Sequence, residues 1–206
     1  MERSPAHVLE VRNVFKSYGR LRVLRGASLT VDEGEVVGVV GENGSGKSTL
    51  MKVLVGLLPV DSGQVSLKGT LGYCPQSLEL YERLTVREHL RYFGAAYGLS
   101  DEDTATAGQR YVGLLKYTRY MDTKVSALSE GTKQKLNLTL ALMHSPSLLL
   151  LDEPYQGFDW ETFRAFVGLL GELRAARKSV LLISHLITSD IGADRVLTLR
   201  DGAFNE

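Results

Sequence analysis

The 206-residue sequence contains a single cysteine, no excess of either charge and no long apolar run, and each absence excludes a class of protein. Cys74 has no partner for an internal disulfide, so we expect a buried thiol in a reducing compartment. Lysine plus arginine and aspartate plus glutamate number 24 each, so no overall basic field directs the chain to nucleic acid. No stretch approaches the roughly 20 apolar residues of a membrane-spanning helix, which predicts a soluble protein.

A glycine-rich segment lies between an apolar strand pattern and a helical pattern, and it reads Gly41-Glu42-Asn43-Gly44-Ser45-Gly46-Lys47-Ser48. Its glycines let successive backbone N–H groups turn towards an anion, while Lys47 reaches the outer phosphates and the Ser48 hydroxyl ligates Mg²⁺. The alternative is a glycine-rich turn with a solvated lysine. The strand-loop-helix setting favours a nucleotide site. Its candidate contacts are Gly41, Glu42, Asn43, Gly44, Ser45, Gly46, Lys47, Ser48 and Thr49.

Four consecutive leucines precede Asp152 and Glu153, and Pro154 follows them. A short apolar run that ends in carboxylates is typical of a parallel strand buried on both faces, with its charged end at the carboxyl edge of the sheet. Ligands of open α/β sheets bind at that edge. We expect Asp152 to hold Mg²⁺ through water and Glu153 to polarise the water that attacks a γ-phosphate. Alone, such an acidic pair often caps the next segment.

Between these two elements lies the segment Leu128-Ser129-Glu130-Gly131-Thr132. Ser129 suits the N-cap of the helix that follows. Taken in order along the chain, these motifs resemble those of the ATP-binding subunits of ATP-binding-cassette transporters, and the resemblance extends over nearly the whole chain. It implies that Ser129 and Gly131 belong to the family signature and contact ATP. Thr132 stands where the family has glutamine, and Glu130 where it has a glycine.

The same resemblance implies roles for four further residues. Tyr18 is similar to the aromatic residue that stacks on adenine, and Gln76 to the glutamine that senses Mg²⁺ and the transmembrane partner. Asp159 belongs to a loop that communicates across a dimer, and His185 is similar to the histidine that contacts the γ-phosphate. Each also has a structural interpretation, such as a strand-end aromatic for Tyr18 or an ordinary hydrogen-bonded side chain for His185. The implied catalytic residues are Glu153, His185 and Gln76, and the implied metal ligands are Ser48, Gln76 and Asp152.

The fold expected from these patterns is α/β. It combines a P-loop NTPase core with a mostly parallel sheet, an N-terminal antiparallel β region and an inserted α-helical subdomain. Residues 1–206 form one domain, in which residues 1–76 and 147–206 make the ATP-binding core and residues 77–146 the helical subdomain that carries the signature. We expect a turn at Arg25-Gly26, a trimmed β region within residues 56–70, and a capping box at Thr85 and Glu88.

The predicted function is that of an ATP-hydrolysing transporter subunit, peripheral on the cytoplasmic face of the membrane, whose local sequence is most similar to bacterial exporters. It binds ATP and Mg²⁺ at the interface of a homodimer or a heterodimer with a second cassette, and acts on separate transmembrane permease subunits. One alternative is a soluble cassette ATPase of a cytosolic complex, such as an iron-sulphur assembly factor. A nucleic-acid-linked cassette is the other, but the chain lacks the sustained heptads and basic stripe expected of one.

Overall fold

The computed structural model describes residues 7–184 and 191–205, and within them the chain forms nine strands and five α-helices. The strands are β1 (His7–Tyr18), β2 (Leu21–Asp32), β3 (Val36–Val40), β4 (Ser62–Leu67), β5 (Leu71–Cys74), β6 (Leu148–Asp152), β7 (Ser179–Ile183), β8 (Arg195–Arg200) and β9 (Ala203–Asn205). The helices are α1 (Lys47–Leu54), α2 (Val86–Ala96), α3 (Asp101–Leu114), α4 (Glu130–Leu142) and α5 (Trp160–Ala175). The predicted α/β class is confirmed.

A six-stranded sheet in the order β5-β6-β7-β3-β8-β9 forms the centre, and only the β8–β9 pair is antiparallel. The position of β6 inside the sheet, with both of its faces covered, explains the run of leucines. Leu148 and Leu150 pack on the side of α1 and the antiparallel sheet, whereas Leu149 and Leu151 pack on the side of α4 and α5. Because successive side chains of a strand point to opposite faces, a strand covered on both faces must be apolar at every position.

The antiparallel sheet has the order β2-β1-β4. The expected turn at Arg25-Gly26 is wrong, because β2 runs through both residues and the chain reverses between β1 and β2 near Gly19. Gly26 has φ 88° and falls at a register shift between the pairs Val14–Ala27 and Phe15–Arg25, so this glycine marks a β-bulge. Residues 56–70 were expected to hold a trimmed β region. They contain one strand, β4, which pairs with β1.

Helices α2, α3 and α4 lie within the segment predicted to be helical. The capping box is confirmed: the Thr85 N–H donates to Glu88 Oε2 at 2.7 Å, and the Glu88 N–H donates to Thr85 Oγ1 at 3.2 Å. Helix α4 joins this segment to the sheet, because its apolar residues share one core with β6 and β7. The expected burial of Cys74 is confirmed, and this burial raises the pKa of its thiol.

The aromatic residues of this helical segment divide between core and surface. Tyr117 is buried, and its hydroxyl lies 2.7 Å from Thr139 Oγ1. Tyr81, Tyr92 and Tyr97 are exposed, and the first two pack edge to face.

Within residues 7–184 and 191–205, no helix combines the length and apolarity that crossing a bilayer requires.

Two glycine-to-alanine substitutions are expected to change stability in opposite directions. A Cβ at Gly72 in β5 would lie 2.3 Å from the carbonyl oxygen of Ala141, so Gly72→Ala should lower the free energy of unfolding by about 1–3 kcal/mol. A Cβ at Gly171 in α5 meets nothing within 4 Å, so Gly171→Ala should raise it by about 0.5–1 kcal/mol. Urea denaturation measures both, and a neutral Gly72→Ala would contradict the packing of β5 on α4.

Candidate functional site

Three neighbouring parallel strands bring the candidate residues to one edge of the sheet. Strand β7 pairs with β3 on one side and β6 on the other. The segment 41–46 leaves the carboxyl end of β3, and Asp152 is the last residue of β6. Because parallel strands end at the same edge, the glycine-rich loop and the acidic pair face a common space.

The glycine-rich loop wraps the N-terminus of α1, as its sequence predicts. Gly46 caps this helix with φ 109°, and Gly44 has φ 83°, so both need the left-handed backbone that glycine adopts without strain. A Cβ at Gly41 would lie 2.3 Å from the carbonyl oxygen of Leu199, so β8 leaves no room for a larger residue. The loop therefore presents backbone N–H groups beside a helix N-terminus, which is the arrangement that binds phosphate.

Lys47, the first residue of α1, is held beneath this loop. Its side chain donates to the carbonyl oxygens of Gly41 at 2.7 Å and Glu42 at 2.8 Å, and the residue is only 8% exposed. Burial lowers the pKa of Lys47, while the charges of Glu153 and Asp152 act in the opposite direction. The ammonium is thus close to both carboxylates and is positioned to meet an anion that enters the loop.

Glu153 is buried and has an unusual backbone. Its φ is 50°, and its N–H donates to the carbonyl oxygen of Ile183 at 3.1 Å. Such left-handed conformations are uncommon outside glycine and are concentrated at functional sites. Gln76 Nε2 donates to Glu153 Oε2 at 3.3 Å, and Gln156 Nε2 donates to the same oxygen. The structure therefore brings Gln76 and Glu153 together.

The donors at this edge fit a magnesium ion held jointly with a nucleotide. Asp152 is 5% exposed, Ser48 offers a hydroxyl on the first turn of α1, and the Gln76 amide has an oxygen besides the nitrogen that contacts Glu153. No group of three or more histidine, cysteine or acidic residues that could hold a metal occurs in the described chain. Mg²⁺ commonly takes one or two protein oxygens together with phosphates and water. The metal ligands expected from the sequence remain a prediction.

Ser129 is the N-cap of α4, as predicted. Its Oγ accepts from the Thr132 N–H at 3.3 Å and lies 2.9 Å from Thr132 Oγ1, so threonine in place of the family's glutamine adds a second contact to the cap. Glu130 pairs with Lys133 at 2.8 Å, which offsets its extra charge. Gly131 packs against the loop after Pro154, where an added Cβ would lie 2.3 Å from the Gly157 carbonyl oxygen.

The segment 128–132 is separate from the glycine-rich loop of its own chain. Among the hydrogen bonds of the described residues, none joins 128–132 to 41–49. Ser129 is nevertheless exposed at the N-terminus of α4. The cap thus presents a polar surface to solvent rather than to the glycine-rich loop.

Three further candidates are Tyr18, Asp159 and His185. Tyr18 ends β1 and is 47% exposed, so its ring is accessible. Asp159 caps α5, because its Oδ1 accepts from the Thr162 N–H at 2.8 Å, and this hydrogen bond lowers its pKa. His185 lies outside the described residues. Nucleotide contacts of Tyr18 and Asp159 therefore stay predictions.

Sequence reasoning missed two residues of this region. Gln156 contacts Glu153, but an isolated glutamine in a loop carries no sequence signal. Lys135 is buried in α4, and its Nζ donates to Thr162 Oγ1 at 2.8 Å and lies 3.6 Å from Asp159 Oδ2. A lysine among the apolar positions of α4 was the available signal for this second residue.

Comparison with known proteins finds relatives that match most of this chain. The family described as ABC transporter matches residues 24–156. An uncharacterized ABC transporter ATP-binding protein of Methanocaldococcus jannaschii is 33% identical over 94% of this chain and 74% of its own length. The linearmycin resistance ATP-binding protein of Bacillus subtilis is 33% identical over 86% of this chain and 61% of that protein. A mouse ABC-type organic anion transporter is 38% identical over 86% of the chain, which spans only 12% of that protein.

Solved structures share the fold of this chain. One described as the ATP-binding subunit of an ABC transporter has a TM-score of 0.91 and 30% identity, and the match covers 97% of this chain and 88% of that one. Another, described as a dimeric post-hydrolysis state of an ATP-binding cassette bound to ADP and Pi, has a TM-score of 0.87 with 24% identity and covers 96% and 97% of the two chains. At that identity the second match shows the fold alone.

Removing the ammonium from the loop is expected to weaken nucleotide binding without unfolding the protein. Lys47→Ala should raise the Kd for ATP by about 10- to 100-fold, because hydrogen bonds to charged groups contribute roughly 1.5–3 kcal/mol. Lys52→Ala, an exposed position on the same helix, is the matched control and should bind normally. Isothermal calorimetry measures both, and unchanged affinity in Lys47→Ala would contradict the phosphate-loop assignment.

Proposed function

Because the chain belongs to the ABC transporter family and is one of its ATP-binding cassettes with ATPase chemistry, we propose that it drives a membrane transporter by hydrolysing ATP between two cassettes. The phosphate loop and Glu153 of one cassette and the Ser129 segment of a second would enclose each nucleotide. Hydrolysis would then be coupled to separate transmembrane subunits.

One observation supports a dimer. No hydrogen bond connects the phosphate loop, residues 41–49, with the signature segment, residues 128–132, of the same chain, both of which the structure describes. Segment 128–132 ends in an exposed helix N-terminus whose partial positive charge suits a phosphate. Within the chain, Gly131 of this segment packs against Gly157 rather than against residues 41–49. A second cassette facing the first would bring its signature to the open side of the nucleotide. The dimeric description of a structure with this fold supports that arrangement.

The chemistry follows from the residues at the sheet edge. Backbone N–H groups of the loop and Lys47 would offset the charge of the β- and γ-phosphates. Glu153 would orient a water molecule and accept its proton as the water oxygen bonds to the γ-phosphorus and the bond to the β–γ bridging oxygen breaks. Gln76, already in contact with Glu153, would face the same water. Mg²⁺, bound by Ser48, Gln76 and Asp152 with the phosphates, would supply further positive charge.

Two observations support coupling to a membrane partner: an exposed pair of aromatic side chains and the transport systems to which relatives belong. The exposed pair Tyr81 and Tyr92 lies just after the Gln76 segment, and aromatic residues are enriched at protein interfaces. Relatives include the linearmycin resistance protein and a Nod factor export ATP-binding protein of Burkholderia lata, which favours an export system on the cytoplasmic face of the membrane. Recovery of membrane subunits with the tagged chain from detergent extracts would distinguish this assembly from a soluble cassette complex.

Replacing the proposed base tests the hydrolytic mechanism. Glu153→Gln should keep ATP affinity and lower turnover by about 100-fold or more, the usual scale for loss of a general base. Steady-state phosphate release measures turnover, and calorimetry measures affinity. Turnover close to that of the wild type would assign the base elsewhere.

A cation at the signature tests whether the site is shared. In the Glu153→Gln background, which should accumulate an ATP-bound dimer, Ser129→Arg should leave a folded monomer that still binds ATP. Ser129→Ala is the control: it should lose about 1 kcal/mol of stability with the cap but still dimerise. Sizing chromatography with ATP and Mg²⁺ separates these outcomes, and a persistent dimer in the arginine variant would refute the shared site.

A further inference from the structure

Two carboxamides converge on one oxygen of Glu153. Gln76 Nε2 donates to Oε2 at 3.3 Å, and Gln156 Nε2 donates to the same atom. Gln76 comes from the segment after β5, whereas Gln156 lies three residues beyond Glu153 in the loop between β6 and α5. A glutamate side chain has several rotatable bonds, so its carboxylate direction is set by the donors that meet it.

The loop that carries Gln156 is anchored on both sides of this residue. The Tyr155 hydroxyl lies 2.5 Å from Ser184 Oγ, next to the carboxyl end of β7, and its ring packs edge to face on Phe163. On the other side, Gly157 approaches Gly131 so closely that a Cβ on it would lie 3.0 Å from the Gly131 Cα. Gln156 is thus held between the sheet and the N-terminal turn of α4.

A second contact fastens the same loop to α4. Lys135 Nζ donates to Thr162 Oγ1 at 2.8 Å and lies 3.6 Å from Asp159 Oδ2, so the helix is tied to the cap of α5. A cavity of about 470 Å³ beside these contacts is lined by Gln76, Gln134, Gln156 and Gly157, with Leu78 and Glu130. Next to that open space, the loop of Gln156 spans from the signature helix to the carboxylate of Glu153.

We propose that Gln156 is a positioning residue that orients the carboxylate of Glu153 and links that orientation to the signature helix of its own chain. The inference rests on the proposed role of Glu153 as the base. A displacement of α4 moves Gly157 through the Gly131 contact, and Gln156 moves with its neighbour. A second cassette that binds the exposed Ser129 end of α4 would therefore act on Glu153 through this loop as well as through the nucleotide.

Removal of the Gln156 donor should lower kcat and leave nucleotide binding unchanged. Gln156→Met keeps the length of the side chain without its N–H groups, and kcat should fall about tenfold or more because a hydrogen bond to a charged group is lost. The KM for ATP should stay within about twofold, since no contact to the nucleotide changes. Gln156→Glu, which replaces the donor by a second carboxylate, should lose at least as much. Gln64→Met on the exposed face of β4 is the matched control and should keep normal kcat.

A double-mutant cycle separates positioning of the base from a general effect on the loop. In the Glu153→Gln background, Gln156→Met should change the residual turnover by less than about twofold, because that turnover no longer uses the carboxylate. Losses that multiply in the double mutant would overturn the inference, as would a near-normal kcat in Gln156→Met. If Glu153→Gln itself keeps turnover, the proposed base is wrong. If it loses turnover while Gln156→Met does not, only the role of Gln156 is wrong.

Discussion

The hydrogen-bonded row that joins β3, β7 and β6 determines the geometry of the whole site. Val39 lies opposite Ile183, and Ile183 lies opposite Asp152. Neighbouring strands are about 4.8 Å apart, so the phosphate loop after β3 and the acids after β6 leave the sheet roughly 10 Å from each other. This distance suits a triphosphate with a water beyond its last phosphorus. Every residue of β6 is buried, so Asp152, its last residue, is the first charged group that this strand brings to the edge.

The same geometry brings the ammonium of Lys47 close to the side chains of Asp152 and Glu153. Lys47 is buried beside these two acidic side chains, so one ammonium group faces two carboxyl groups. A triphosphate would add further negative charge beside these buried groups, where uncompensated charge is costly. The hydroxyl, carboxylate and carboxamide oxygens at this edge are therefore suited to share a divalent cation with the nucleotide. The Lys47 ammonium donates to two loop carbonyls, and an anion in the loop would be a stronger acceptor.

Local patterns predicted the elements that depend on local physics. The phosphate loop, the strand before Asp152, the capping box at Thr85 and the cap at Ser129 all follow from short-range periodicity and hydrogen bonding, and the structure has each of them. The bulge at Gly26 was mistaken for a turn, since a positive φ is compatible with both. Gln156 lies three residues from its partner Glu153, but only the path of the loop brings the two side chains together. The partners of Lys135, Thr162 and Asp159, lie at the start of α5 and could not be assigned from the sequence. The contacts of Lys135 depend on how α4 packs beside the start of α5, which no local pattern encodes.

The contacts between the helical segment and the catalytic edge differ in how they respond to motion. Gly131 and Gly157 meet backbone to backbone without space for a Cβ, so this contact transmits displacement without deforming. The contacts of Gln156 and Gln76 with Glu153 are side-chain hydrogen bonds, which can break and form again as rotamers change. Through the rigid Gly131–Gly157 contact and these adjustable hydrogen bonds, a small movement of α4 would change the direction of the Glu153 carboxylate. Under the proposed mechanism, such a connection would let hydrolysis depend on whether a second cassette contacts the N-terminus of α4, with no change in the phosphate loop itself.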